Sequence, residues 1–201
     1  VRSGGYPARE YRVEGDHSSA SYFLAAPAIV GGRVRVEGLV PNSVQADAML
    51  GRLMAEAGCE VDSGASWIEV RGRRPYRGFD LDMGSAPDLV PTLAVLAMFA
   101  GGPSVIRGIG HLRIKESDRL ETVASNLRRL GCEARAIDDR LEVRPDPSAY
   151  RGALIETASD HRMAMAFAVA GLAVEGVEID DPSCVSKSNA GFWKQFDSLT
   201  A

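Results

Sequence analysis

Gly58-Cys59-Glu60, followed by Ile68-Glu69-Val70-Arg71, returns as Gly131-Cys132-Glu133 followed by Leu141-Glu142-Val143-Arg144. The spacing is 73 residues in both cases (58 to 131 and 68 to 141), and upstream Gly31-Gly32 returns as Gly101-Gly102 after 70. A period near 70 residues is too long for a solenoid. It suits a supersecondary unit repeated inside one domain, and that unit can be parsed from its hydrophobic patterning.

Residues 11–14 open the first unit as a strand, and an apolar helix follows over about 18–30. Arg33-Val34-Arg35-Val36-Glu37 alternates polar and apolar side chains, the mark of a half-buried strand. An amphipathic helix is expected over about 45–57, with Ala48, Leu50, Leu53, Met54 and Ala57 near helical spacing and Gly58 as its stop. Two short strands, 59–62 and 67–71, close a βαβαββ unit. The second unit repeats the order: strand 79–83, apolar helix 87–100, strand 104–108, helix 118–130 stopped by Gly131, then strands 132–136 and 140–144. The third begins alike, with strand 153–157, apolar helix 162–174, strand 177–180 and a short helix 192–199, but its two closing strands have no sequence.

The first helix of each unit is apolar nearly all round, so it must be buried on all sides. Three such helices predict a central bundle wrapped by sheets. The expected class is α/β (α+β): one domain over 1–201, with pseudo-repeats at about 10–74, 75–147 and 150–201. A third sheet without closing strands leaves an exposed edge. A segment outside this chain is expected to complete it, because residues 1–9 are rich in glycine and charge and poor in strand formers.

Composition is that of a globular protein, 45% apolar and 25% charged over 201 residues. A net charge of −4 argues against a general nucleic-acid or anionic-membrane surface, so anion binding must rely on a local cationic pocket. No uninterrupted apolar run approaches a membrane span, and residues 1–5 lack the apolar core of a signal peptide. Three cysteines at wide spacing, Cys59, Cys132 and Cys184, suggest neither a disulfide framework nor a zinc site. Read as reduced, they fit the cytoplasm.

The chemistry is concentrated at predicted helix heads. His111-Leu112-Arg113-Ile114-Lys115-Glu116-Ser117-Asp118-Arg119-Leu120 sets Lys115, Glu116 and Arg119 around a D-x-x-E capping box whose N-cap is Asp118. A helix N-terminus is a ready anion site, and cations there are unfavourable unless an anion is bound. Asp160-His161-Arg162 again puts a cap before an apolar helix, and core packing does not ask for His-Arg at that place. Arg162 has the planar fork that suits phosphate or carboxylate. Ser85-Ala86-Pro87-Asp88 places proline at N1 with an acid beside it. If the repeats bring their helix heads to one end of the bundle, Asp88 and Arg162 point into the same region. Lys187, in Val185-Ser186-Lys187-Ser188-Asn189 before the last helix, reads as a surface lysine by composition. Gly15-Asp16-His17-Ser18-Ser19 is only loosely like a phosphate loop; Asp16 and Ser18 read as caps and His17 as a surface residue.

Together these residues resemble the C-terminal half of the EPSP synthase (3-phosphoshikimate 1-carboxyvinyltransferase) family. The likeness rests on Val13-Glu14-Gly15-Asp16 with Ser18 to Phe23, Pro87-Asp88, Arg113 to Leu120, Asp160-His161-Arg162-Met163-Ala164-Met165, and Asp181-Pro182 with Cys184 to Ser188, in family order over almost the whole chain. The resemblance implies two domains of three βαβαββ units with the active site between them. It also implies that the absent N-terminal domain is a partner and that the enzyme's own N-terminus completes the third sheet. It implies a transferase of the shikimate pathway, in aromatic amino-acid biosynthesis, moving enolpyruvyl from phosphoenolpyruvate to the 5-hydroxyl of shikimate 3-phosphate, with no cofactor and no metal. Asp88 would orient or deprotonate the attacking hydroxyl, and Glu116 would protonate the methylene carbon. Arg119, Arg162 and Lys187 would hold phosphoenolpyruvate and stabilise charge, with Lys187 counted among the catalytic residues beside Asp88 and Glu116. Lys115 and His111 would contact shikimate 3-phosphate, and His161 falls in the same binding set. The chain departs from the pattern at His111, where the family usually has Asn, and at Asn189-Ala190, where it has Phe-Pro. Two rival readings are an isolated, non-catalytic module with weak anion binding and a UDP-N-acetylglucosamine enolpyruvyl transferase, against which the Lys115 to Arg119 stretch argues.

Overall fold

The structure is a computed structural model that describes residues 4–5, 7–72, 75–115 and 118–199. The expected central bundle is present. Helices α1 (His17–Val30), α3 (Val90–Met98) and α5 (His161–Gly171) each pack against the other two. Every residue of α3 is buried, and in α5 His161 and all of 163–170 are buried. With no polar face to turn outward, these helices are stable only inside such a bundle. Helices α2 (Leu50–Ala57) and α4 (Arg119–Arg129) are amphipathic and lie outside it, α2 against β2 and α4 against β6. A sixth helix, α6 (Phe192–Asp197), follows the last strand.

Three sheets surround the bundle. The first joins β1 (Arg33–Glu37), β3 (Trp67–Arg71) and β2 (Glu60–Gly64) in that order, all antiparallel, with Arg33 opposite Arg71 and Glu60 opposite Arg71 on the other side. The second has the order β4 (Asp80–Asp82), β5 (Ser104–Arg107), β7 (Arg140–Arg144), β6 (Glu133–Ile137), with β4 parallel to β5 and the other pairs antiparallel. The third is a parallel pair, β8 (Leu154–Ile155) and β9 (Glu178–Ile179). Among the described residues the second unit therefore carries the full βαβαββ order, and the third has only its opening pair.

Several expected boundaries move. Residues 11–14 form no strand: Tyr11 and Val13 are 73% and 80% exposed, and Gly15 alone reaches the sheet, its N–H donating to the Gly38 carbonyl at 2.8 Å. An alternating pattern makes a strand only where an edge accepts it, and here the Glu14 side chain is drawn to Ser43 instead (2.6 Å). The apolar helix expected from residue 87 begins as a 3₁₀ turn, Pro87–Leu89, and becomes α-helical at Val90. Pro91 has no N–H to give the Pro87 carbonyl, so the α-helical bond at that point cannot form. The helix expected from residue 45 likewise opens as a 3₁₀ turn, Ala46–Met49, and Lys187 ends a 3₁₀ segment, Pro182–Lys187, where a loop was expected.

The repeated glycines differ in what surrounds them. Gly58 and Gly131 both have positive φ (111° and 87°), but a Cβ at Gly58 would meet open space, whereas one at Gly131 would sit 2.0 Å from the Ala149 carbonyl oxygen. Gly58→Ala should cost about 1–2 kcal/mol from the left-handed backbone alone. Gly131→Ala should cost clearly more, because backbone at Ala149 must move. Urea unfolding midpoints of the two variants measure the difference.

Candidate active site

Three of the helix heads that carry charged residues are fixed by a side-chain cap. Asp16 caps α1, its carboxylate accepting the Ser18 and Ser19 N–H groups at 3.1 and 3.2 Å. Asp118 caps α4 by accepting the Glu121 N–H at 2.9 Å and also takes Arg113 Nη1 at 3.0 Å. Glu121 does not complete the expected capping box; its carboxylate accepts from Arg128 Nη2 at 2.7 Å. Asp160 caps α5 through the Arg162 N–H at 2.9 Å. The turn leading to Asp160 holds Ala158 and Ser159 at φ 51° and 58°, a left-handed pair without glycine, and it is braced by Thr157, whose hydroxyl donates to Asp180 at 2.7 Å. The Asn126 amide brackets the same segment, donating to the Glu156 carbonyl at 2.9 Å and accepting the Glu156 N–H at 3.0 Å.

These heads converge. Arg119 Nε donates to Asp160 Oδ2 at 2.7 Å, and its Nη1 to Asp88 Oδ1 at 3.0 Å. The other Asp88 oxygen lies 2.9 Å from Arg162 Nη2. One carboxylate thus bridges two guanidinium groups delivered by different helices. The Arg119 and Asp160 side chains are 2% and 0% exposed, while Asp88 is 35% exposed and forms the open side of the cluster. A buried guanidinium is tolerated only with its charge met and its N–H groups bonded. Two fork-shaped donors facing one carboxylate are also the arrangement that binds an exogenous carboxylate or phosphate.

The surroundings tune this mouth. Asp47, in the 3₁₀ turn Ala46–Met49, is buried and accepts the Ser18 hydroxyl. Burial raises its pKa above the usual Asp value; the Ser18 hydrogen bond opposes this, and the nearby Asp88 charge adds to it. Tyr22 on α1 is fully buried beside Arg162, and burial pushes its phenol well up. His161 is buried, its Nδ1 4.0 Å from Asp160 Oδ1; burial, reinforced by the Arg162 and Lys187 charges, lowers its pKa and favours the neutral ring. Lys187 is exposed and near enough to act on His161. His111 is half-buried in the 3₁₀ turn Gly110–Ile114, and Lys115 is exposed at the end of that turn; neither makes a hydrogen bond or ion pair with another described residue. Glu116 lies outside the described residues.

Two expectations are corrected here. His17 is buried, not on the surface, with Nε2 3.1 Å from the Val40 carbonyl, because the 40–47 segment folds over the head of α1. Ser18 is no cap: its hydroxyl goes to Asp47 and Asp16 caps alone. Asp47 and Tyr22 went unread in the sequence. Asp47 shares the signature of an acid at a helix head, which was available, but Tyr22 sits inside an apolar helix and had no distinguishing mark. Among the described residues no group of three or more His, Cys, Asp or Glu can hold a metal ion, and no helix is long and apolar enough to cross a membrane.

The chain matches the EPSP synthase (3-phosphoshikimate 1-carboxyvinyltransferase) family over residues 3–196. It is 47% identical over 195 residues to a 3-phosphoshikimate 1-carboxyvinyltransferase of Methanoculleus marisnigri, covering 96% of this chain and 46% of that protein. To the protein of the same name in Nostoc punctiforme it is 45% identical over 191 residues, covering 95% and 44%. Among solved structures it superposes on an EPSP synthase from Acinetobacter baumannii with a TM-score of 0.82 at 26% identity, covering 92% of this chain and 46% of that one. The chain spans about half the length of the curated relatives it matches.

Two outcomes follow from the cluster. Asp160→Ala should lower stability by about 3–5 kcal/mol, since it strips the closest carboxylate from a buried guanidinium; denaturant unfolding reads this directly. Asp47→Asn should behave oppositely. A carboxyl whose folded pKa is raised binds its proton more tightly when folded, so its charge subtracts stability as pH rises through the window above the usual Asp value. Asn keeps an acceptor for Ser18, so the variant should be more stable than the parent at neutral pH and lose that advantage on acidification, as urea midpoints across the acid range will report.

Proposed function

The chain belongs to the EPSP synthase (3-phosphoshikimate 1-carboxyvinyltransferase) family, and on that premise we propose that it is the C-terminal half of an enzyme transferring enolpyruvyl from phosphoenolpyruvate to the 5-hydroxyl of shikimate 3-phosphate. The observation that carries this reading is the meeting of Arg119 and Arg162 on the two oxygens of one carboxylate. Phosphoenolpyruvate offers the same kind of anion to the same forks, with Lys187 at the exposed rim as a third cation.

Asp88 has the exposure and the charge to take the proton of the attacking hydroxyl. The hydroxyl oxygen then bonds to C2 of phosphoenolpyruvate while Glu116 gives a proton to the methylene carbon. In the tetrahedral intermediate the guanidinium charges stabilise the carboxylate and the phosphate about to leave. The Glu116 carboxylate then takes back a methyl proton as the C–O bond to phosphate breaks, which releases phosphate and leaves the enolpyruvyl ether. Lys115, His111 and neutral His161 serve shikimate 3-phosphate and its orientation. The second wall of the cleft belongs to the N-terminal half, so the partner of this chain is that half, and turnover requires both. Three cysteine thiols suit a reducing compartment, and we place the protein in the cytoplasm.

The test is reconstitution. Mixed with the N-terminal half of a relative, the chain should release phosphate only when both substrates are present; no product from two correctly folded halves refutes the proposal. In that assay Arg162→Lys should raise the KM for phosphoenolpyruvate by about ten- to hundredfold, because a point charge replaces a planar fork in a charged hydrogen bond.

A further inference from the structure

The Tyr22 hydroxyl is fully buried and makes no well-formed hydrogen bond with the described residues. Buried polar atoms left unpaired are rare, and each asks for a reason. The ring itself is well placed: it packs edge-on against Phe192 with centroids 6.0 Å apart, within an aromatic cluster that includes Phe23, Trp193 and Phe196. The oxygen lies beside Arg162, whose side chain is 17% exposed. The Arg162 guanidinium lies within loose hydrogen-bonding reach of the phenol; its charge acts on the phenol, and the phenol in turn helps to keep the guanidinium charged. Yet Arg162 spends Nη2 on Asp88, at 2.9 Å, and its contact with the Tyr22 oxygen falls short of a well-formed hydrogen bond.

We propose that Tyr22 is a positioning residue for Arg162: its oxygen accepts a guanidinium N–H when an incoming anion draws Arg162 off Asp88, and so fixes the fork in the orientation that meets the anion. This rests on the reading of Arg119 and Arg162 as the anion-binding pair. In the anion-free site Asp88 holds Arg162 and the Tyr22 contact is loose; in the loaded site the Tyr22 contact tightens into a full hydrogen bond. A guanidinium has donors on several edges, so one edge can face the anion while another faces the phenol. The phenol is held by ring packing and needs no rearrangement to receive it.

The experiment compares the unaltered chain with Tyr22→Phe, which keeps the ring and its contact with Phe192. If the hydroxyl is only an idle buried group, its removal leaves stability unchanged or improved and leaves anion binding alone. The proposal instead expects unchanged or higher thermal stability together with about tenfold weaker binding of phosphoenolpyruvate by calorimetry, the loss of one charge-assisted hydrogen bond. Equal affinity in the two proteins overturns it. In the unaltered chain, labelled at tyrosine Cζ, phosphoenolpyruvate should shift the Tyr22 signal; a signal that stays fixed at saturation overturns the proposal whether or not the variant folds. Arg162→Gln separates the two levels. If that variant binds phosphoenolpyruvate as tightly as the parent, the reading of the anion pair fails and Tyr22 fails with it; if binding falls with Arg162→Gln and not with Tyr22→Phe, Tyr22 alone is refuted.

Discussion

A buried guanidinium held by a buried carboxylate organises this molecule. Neither Arg119 nor Asp160 has water to solvate it, and each ion taken out of water costs several kcal/mol unless its partner and its hydrogen bonds are in place. The pair is therefore committed to one geometry. Asp160 uses its second oxygen to cap α5, and Arg119 uses a second nitrogen to hold Asp88. Through three side chains the heads of the third and fourth helices and of the fifth are tied together. The left-handed turn at Ala158 and Ser159 persists on the same account: the Asp160 end is locked by charge and the other end by Thr157 and Asn126.

The bundle explains why the charges gather where they do. Helices buried on all sides offer no lateral position for an ionised group, so only their ends can carry one. The N-terminal ends present unsatisfied N–H groups and the positive end of the dipole, which draws carboxylates there as caps. Asp16, Asp47, Asp88 and Asp160 crowd one mouth, and Arg119 and Arg162 compensate them. Burial, with the Asp88 charge adding to it, makes Asp47 hold its proton more tightly than an ordinary aspartate. On the proposed reading, an anion entering such a site would have to displace a carboxylate from a guanidinium, which would favour ligands with more than one negative oxygen.

Much of the fold was legible because its units repeat. Strands β1, β3 and β7 run over the residues their alternation predicted, and the outer helices stop at Gly58 and Gly131 as the glycine rule expects. The misreadings share a cause. Residues 11–14 have a strand's pattern and no edge to join; Pro87 has a helix-starting position but a second proline four residues on; His17 has a polar side chain and a segment from elsewhere in the chain folded over it. In each case a contact distant in sequence outweighed a local preference. The candidate site divides in the same way. Its arginines and acids were visible as residues out of place at the head of apolar helices, whereas Tyr22 looked like any other core aromatic.

Local rules settled which segments are helices and strands, which helices must be interior, and which residues stand at their heads, because propensity, periodicity and capping act over a few residues along the chain. They could not say that Asp88 lies between Arg119 and Arg162, that Asp47 shares a proton-bearing contact with Ser18, or that the Tyr22 hydroxyl is buried beside Arg162 without a well-formed hydrogen bond. Those facts are set by packing three helices from distant parts of the chain against one another, and their distances of about 3 Å exist only once that packing has excluded water.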